Sequence, residues 1–502
     1  MKNIPISQVW QQRGGTHRSK LCAVPAKALL IGAALTLAGC TSLAPGYERP
    51  SAALPAQYAD DNAAATQVAA LAWRNYFNEP ELQTLIDRAL AGNRDLRAAM
   101  LRVEEARAAY GISRADRVPT VGLSLQSQRS RVPGDLSLTG SPLLSEQHQL
   151  GVGFSNWEID FWGRIRSLND AALQTYLASD EGQQAATLLL ITQVADSWLV
   201  LRELDQRIVL AEAALATRTE SRRVFTRRVE VGSSSRLDLV QVELLWQQAN
   251  TLLSQLRQQR STQQNALGVL VGEPGLSLAP STQPLSALEP IRAPAPGLPS
   301  QLLENRPDIR SAERTLQAAN ARIGVARALF FPTISLTTMA GTASSELDGL
   351  FGGGSRAWSF APSVSLPLFE GGRRQANLEL SQVQREQAVN QYQKTIQTAF
   401  REVADGLVAG QRLDEQLQIQ RTSENTLTER ARLASRRYAA GAARYFEVLD
   451  AERDLLAAQQ QTVQTERALM SARLQLYASL GGGTQALATN AASKPESAEA
   501  KE

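Results

Sequence analysis

The sequence predicts a mainly α-helical protein with a small membrane β part, in which two long helical hairpins each follow a short β-hairpin. Three observations predict it. First, the chain repeats its own pattern roughly 210 residues apart. Asn93-Arg94-Asp95-Leu96-Arg97-Ala98-Ala99 returns, with one insertion, as Asn305-Arg306-Pro307-Asp308-Ile309-Arg310-Ser311-Ala312, and Val118-Pro119-Thr120-Val121 returns as Phe331-Pro332-Thr333-Ile334. Second, proline is absent from Gly163 to Val231 and again from Gly372 to Ala440. Third, each proline-free run is preceded by segments that alternate apolar and polar residues with a period of two. Such duplication builds one structural unit from like halves, and shared geometry rather than a single catalytic pocket is the first expectation.

The N-terminus stands apart from the rest. Lys20 and Lys27 precede an apolar run from Ala28 to Ala38 that ends Leu37-Ala38-Gly39-Cys40. A basic stretch followed by an apolar core too short to span a bilayer is a secretory signal. Small residues before a cysteine match the lipobox, which places cleavage after residue 39 and acylation on Cys40; an ordinary signal with an incidental cysteine is the alternative. Thr41, rather than an aspartate, follows the cysteine. In Gram-negative lipoprotein sorting that favours passage to the outer membrane.

Cleavage removes five basic and no acidic residues, leaving 47 of the 52 basic residues against 49 acidic ones. The mature chain is close to neutral, and nothing in it suggests nucleic-acid binding. Cys22 leaves with the signal and Cys40 is the lipidation candidate, so no disulfide is expected. His148 is the one histidine left, in a polar stretch between strand-like segments, where a solvated loop position is expected. That excludes multi-histidine metal sites and most imidazole catalysis. Neither an enzyme nor a cofactor site is expected.

Residues 40–80 form an N-terminal stretch rich in Ala, Pro and Asp, expected as an extended tether. The first half, 81–272, opens with helical spacing through Leu82, Leu85, Ile86 and Leu90, broken at Gly92-Asn93. A β-hairpin is expected at about 118–162, where Val121, Leu123 and Leu125 alternate with small polar residues and Leu150, Val152 and Phe154 lead into Trp157 to Trp162. The second half, 301–482, offers the like hairpin at about 331–369, with Ile334, Leu336, Trp358, Phe360, Val364, Leu366 and Leu368. Alternation of this kind with aromatics near the strand ends suits an outer-membrane barrel wall.

Long helical hairpins are expected at 163–272 and 372–480. Each proline-free run makes a rod on the order of 100 Å at 1.5 Å per residue. Their apolar seams step by four and three, through Leu190, Val194, Ser197, Leu201, Leu204, Ile208, Ala211 and Leu215 and through Ile396, Phe400, Val403 and Leu407. That spacing predicts coiled-coil packing of neighbours. Seven prolines between Glu273 and Pro299 mark 273–300 as a surface connector. The end of the chain, 483–502, is expected to be a disordered tail.

Two hairpins cannot close a membrane barrel, because the smallest need eight strands and an open edge in lipid leaves unpaired backbone groups. Several chains must contribute, and three would supply twelve strands.

Four segments are highly specific: Trp157-Glu158-Ile159-Asp160-Phe161-Trp162-Gly163-Arg164, Leu303-Glu304-Asn305-Arg306-Pro307-Asp308-Ile309-Arg310, Phe331-Pro332-Thr333-Ile334 and Leu366-Pro367-Leu368-Phe369-Glu370-Gly371-Gly372-Arg373. On these the chain resembles the outer-membrane efflux protein family, the TolC- and OprM-like outer-membrane factors, and within it the NodT-type lipoproteins. The resemblance covers essentially the whole mature chain. It implies a homotrimer with a 12-stranded β-barrel, four strands per chain, continued by a long α-helical barrel across the periplasm. It implies a passive exit duct supplied by a proton-driven inner-membrane pump through a periplasmic adaptor protein, set in outer-membrane lipid. It also implies a gate at the helix-turn-helix tips near Gly232 and Gly441. Glu447 and Asp450 match acids that project into the family's constriction, while Asp238 matches one that ties neighbouring helices, in part to a tyrosine at Tyr438. Ala443 stands where some members carry a gate arginine, with Arg444 adjacent. A stand-alone channel and a lipid-anchored coiled-coil spacer are the rival readings. The first would need shorter helices and the second leaves the strand hairpins idle.

Overall fold

A computed structural model describes residues 42–51, 55, 71–288 and 302–484 of the chain. Cys40 and the signal segment lie outside the described residues, as do about half of the expected tether and nearly all of the expected tail. In chain order the helices are α1 (Trp73–Tyr76), α2 (Pro80–Gly92) and α3 (Arg94–Ala115), then strands β1 (Gly122–Val132) and β2 (Leu143–Glu158), then α4 (Arg164–Glu230) and α5 (Arg236–Val271). The second half runs α6 (Leu302–Asn305), α7 (Pro307–Ala328), β3 (Thr333–Ser344), β4 (Arg356–Ser365), α8 (Arg373–Ala439) and α9 (Tyr445–Ser479). The two long rods are both 67 residues, about 100 Å.

The strands form one antiparallel sheet in the order β1-β2-β3-β4, so β1 and β4 are its edges. Both hairpins are longer at their loop ends than the apolar alternation suggests. His148 therefore lies within β2, opposite Ser127 and Ser344, and is not a loop residue. The period-two pattern continues there in Gln and Ser, which carry no apolar signal.

The largest core sits at mid-height, where the short helices pack around the rods. Ile86, Ile191, Leu267, Ile309, Ile396 and Tyr477 are all fully or almost fully buried in it. Tyr76 stacks on Tyr477 at 4.0 Å between ring centroids, and the Tyr477 hydroxyl donates to Leu71 O at 2.8 Å. Residues 71–77 are thus part of the core, where a tether was expected. Below it, α4 and α5 meet through Leu204, Ala211, Leu253 and Leu256. At this level the α4–α9 contact is polar instead, whereas nearer the tips Phe225 packs against Tyr445 and Leu449. Glu203 accepts from Arg207 at 3.0 Å and from Arg467 of α9 at 2.9 Å, with its side chain 7% exposed.

The specific motifs occupy junctions. Arg306 donates to Asp308 at 2.7 Å, to Glu402 of α8 at 2.7 Å and to Ser479 O at the end of α9 at 3.0 Å. One guanidinium thereby joins three helices. Thr484 is also buried, its hydroxyl donating to Asn305 O at 3.0 Å, so ordered chain extends past residue 482. Residues 42–49 do not stand off as a tether but run along α7, where Glu313 accepts from Tyr47 at 3.0 Å and from Arg49 at 2.9 Å. This strap ends beside Gly163, where an added Cβ would lie 3.1 Å from Ser42 Cα.

Candidate functional site

The sheet has two unlike faces. Residues directly opposite one another in antiparallel strands share a face. Leu123, Val152, Ala340 and Trp358 form one such row, and Phe154, Thr338 and Phe360 another. Leu123, Trp358, Phe360 and Val364 are between 61% and 79% exposed. The opposite face holds Ser124, Gln126 and Gln128 of β1, Gln147 and Gln149 of β2, Ser335 and Thr337 of β3, and Ser359 and Ser363 of β4. An irregularity between Phe154 and Trp157, with Asn156 at φ 54°, keeps both aromatics on the apolar face despite their odd spacing. Glycines on the polar face let the sheet curl toward it. A Cβ on Gly153 would lie 2.1 Å from Thr338 O, and one on Gly341 2.0 Å from Leu150 O. The polar face is therefore the concave one.

The sheet is joined to the rods by short, rigid corners. Asp160 accepts from Ile165 N at 2.9 Å and Arg166 N at 2.8 Å, capping α4, while Glu158 pairs with Arg164 at 2.6 Å. Trp162 donates to Pro332 O at 2.8 Å and stacks on Phe331 at 4.5 Å between centroids. The corner before α8 uses Gly371 and Gly372 in the left-handed region, with Glu370 pairing with Arg374 at 2.7 Å.

The far ends of the rods turn on Gly232 and Gly441, both at φ 71°. Ser233 N donates back to Arg228 O at 2.7 Å and Ala442 N to Arg437 O at 2.9 Å, the closing bond of a Schellman turn in each case. Beyond the turns the two tips differ. Asp238 is the fourth residue of a capping box, accepting from Ser235 N at 3.1 Å while Ser235 Oγ accepts from Asp238 N at 3.1 Å. Hydrogen bonds from Ser235, and then Ser234, hold its carboxyl below the usual aspartate range. Among the described residues Asp238 makes no bond to Tyr438. Tyr438 accepts instead from Arg228 of α4 and packs 4.9 Å from Tyr445, so it does join the hairpins, through an arginine.

Glu447 and Asp450 are not bare carboxylates. Glu447 accepts from Arg437 at 3.2 Å, and Asp450 pairs with Arg430 at 2.8 Å and with Arg453 at 2.6 Å. Arg430 also reaches Asp454 at 2.7 Å, and hydrogen bonds from Arg453 and Arg430 hold Asp454 below the usual range. Arg430, Leu433, Arg437, Phe446, Glu447 and Asp450 line a groove of about 530 Å³ between α8 and α9. The tip acids are thus interleaved with arginines inside one protomer. No group of His, Cys, Asp and Glu fit to hold a metal occurs among the described residues.

This architecture has known counterparts. The profile described as "Outer membrane efflux protein" matches residues 85–273 and 298–482. The chain belongs to the outer membrane efflux protein family. It is 42% identical over 466 residues to the solvent efflux pump outer membrane protein SrpC of Pseudomonas putida, across 91% of this chain and 98% of that protein. It is 40% identical over 459 residues to the outer membrane protein OprJ of Pseudomonas aeruginosa, across 91% and 95% of the two chains. Among solved structures, the open state of the Neisseria gonorrhoeae MtrE outer membrane channel is similar at a TM-score of 0.80 and 34% identity, covering 88% of this chain and 99% of that one.

In this outer membrane efflux protein, the residues that sequence reasoning missed are the basic partners of the tip acids. Arg430 and Arg437 precede Asp450 and Glu447 by 20 and 10 positions, and only the folding back of α9 on α8 brings them together. Their signal was present as an arginine-rich end to α8. The cap of the first efflux-protein tip responds to acid. Because the Asp238 pKa is lowered in the fold, its contribution to the cap is complete above the ordinary aspartate range and is lost as pH falls through the lowered value. Protection factors of the amides at residues 236–239, corrected for the intrinsic exchange rate at each pH, are expected to be the same at pH 7 and pH 5 and to fall only in acid below the ordinary aspartate range. Protection factors that stay equal into that acid range would remove Asp238 from the cap.

Proposed function

We propose that this chain is the outer-membrane exit duct of a tripartite efflux assembly. Three copies close one 12-stranded barrel by pairing β4 of each protomer with β1 of the next, and their rods continue it as a helical barrel across the periplasm. The observation that carries this is an open four-stranded sheet with one apolar and one polar face, joined through capped corners to 67-residue helices. Neither edge strand is satisfied within one protomer, and lipid does not tolerate such edges. The convex apolar face meets lipid and the concave face of Ser, Thr, Gln and Gly lines water. The two halves share one element order because they derive from an internal duplication.

Acylation of Cys40 fits the strap that runs up to Gly163 at the foot of the sheet, two residues short of that cysteine. A periplasmic adaptor and an inner-membrane pump supply substrate at the tips, in keeping with relatives named as components of solvent efflux pumps. There Glu447 and Asp450 of three copies ring the mouth, their charge partly offset by Arg430, Arg437 and Arg453, and these pairs replace any lock at Ala443. Asp238 shapes the first tip as a cap, and Tyr438 holds the two hairpins together.

Single-channel recording on the purified full chain in planar bilayers tests this reading. The wild type is expected as a trimer with a small, cation-preferring conductance. Glu447→Ala with Asp450→Ala is expected to raise conductance or weaken cation preference. A trimer with both properties unaltered would take these acids out of the gate. A solid rod with no conductance would instead support the lipid-anchored spacer.

A further inference from the structure

The charged side chains of the sheet are placed against the usual expectation for a water-filled barrel. On the concave face the one charged strand residue is Glu158, tied to Arg164 at the foot of the sheet. All the others, Arg129, Arg131, Glu146 and Arg356, lie on the same convex face as Leu123, Leu125, Val152 and Trp358, as does His148. They are confined to its loop end. Arg129 stands four residues beyond Leu125 in β1, and Arg356 two residues beyond Trp358 in β4. At about 3.3 Å per residue these offsets are roughly 13 Å and 7 Å along the strands.

An arginine facing hydrocarbon is costly, and the cost fades only at the headgroup level. Glu146 is the one acid on this face, and it pairs with Arg129 at 2.5 Å. Arg131 and Arg356 are exposed and have no side-chain partner among the described residues. They stand at the loop ends of the two edge strands, so pairing β4 of one protomer with β1 of the next brings the two sets toward one another across each seam. A guanidinium pair there, above an apolar band and with the one carboxylate of that face taken up by Arg129, matches phosphate oxygens in charge and geometry.

We infer that Arg131 and Arg356, with Arg129 beside them, bind the phosphate groups of a phosphorylated glycolipid in the outer leaflet, at the seams between protomers. The site rests on the barrel closure proposed above. It serves as a belt that fixes the height of the barrel in the membrane and bridges its seams from outside, and it takes no part in conduction.

Native mass spectrometry of the full-length trimer in mild detergent tests it, with bis-phosphorylated lipid A and its dephosphorylated form as probes. The wild type is expected to retain the phosphorylated form about tenfold better, and Arg131→Ser with Arg356→Ser to lose that preference. Arg131→Lys with Arg356→Lys is expected to keep most of it. Equal retention of both lipids by the wild type, or an unchanged preference in the serine variant, would overturn the site. Loss of the preference in millimolar inorganic phosphate would assign the belt to a free anion and overturn it as a lipid site. Failure of the barrel reading would look different, since the wild type would then give neither trimers nor conductance.

Discussion

Gly341→Val is expected to abolish assembly of the membrane sheet while leaving the helical content of the chain nearly intact. The added Cβ would lie 2.0 Å from Leu150 O and 2.5 Å from Gly151 Cα, both backbone atoms of the neighbouring strand. Nothing flexible is there to give way, so β2 and β3 must part by more than 1 Å, breaking ladder bonds on either side. Each broken bond leaves polar groups exposed to lipid at a cost of several kcal/mol, and overpacking alone costs about 1–3 kcal/mol. Far-UV circular dichroism with native gels checks this, with helix signal retained and trimer yield near zero. Gly353→Val, where the added Cβ meets nothing within 4 Å, serves as the neutral control. A normal trimer yield from Gly341→Val would mean that the sheet is flatter than the structure has it.

Glu203→Ala carries the second large effect. Its carboxylate lies between Arg207 of its own helix, 15% exposed, and Arg467 of α9, 29% exposed. Removing it takes the paired carboxylate from two partly buried guanidinium groups, leaving Arg207 with Gln460 and Arg467 with Ser471 as uncharged partners, and breaking a buried pair costs about 3–5 kcal/mol. Glu203→Gln keeps an acceptor and is expected to cost less. Thermal unfolding in detergent measures both, and it should be paired with cysteine crosslinking between α4 and α9 to locate the loss. A melting point for Glu203→Ala equal to the wild type would mean that water already reaches this contact. The effect should be local. The α4–α5 contact beside it has its own apolar cluster of Leu204, Ala211, Leu253 and Leu256 and its own ion pair of Arg260 with Asp205, none of which involves Glu203.

What could be read in the sequence depended on how far apart the interacting residues stand. Helix ends at Gly163, Gly232, Gly372 and Gly441 are local signals, and α4 and α8 begin one residue after two of those glycines. Strands were legible only while apolar residues marked the alternation. β1 runs on to Val132 and β2 starts at Leu143 through polar residues that carry no such mark. The role of residues 71–77 was hidden because their partner, Tyr477, lies 400 positions away in a segment that reads as ordinary helix. For the tip, the acids stood out by their spacing from glycine. Their arginines did not, since pairing across a helical hairpin depends on the register of the turn. The arginine belt inferred above shows the same limit. Arg131 and Arg356 are far apart in sequence, and only strand register puts them on one face.

The two 67-residue rods have a consequence for how this chain can change. Both start at the foot of one sheet, and in the trimeric duct proposed above both must reach the same plane for three pairs of tips to meet in a ring. Loss of two helical turns from one rod alone would leave its tip about 10 Å short and the rim uneven. A change in reach is therefore viable only when both halves change together. On that reading the depth of the compartment to be crossed is a single length that the gene has to store twice, and each half holds the other to it.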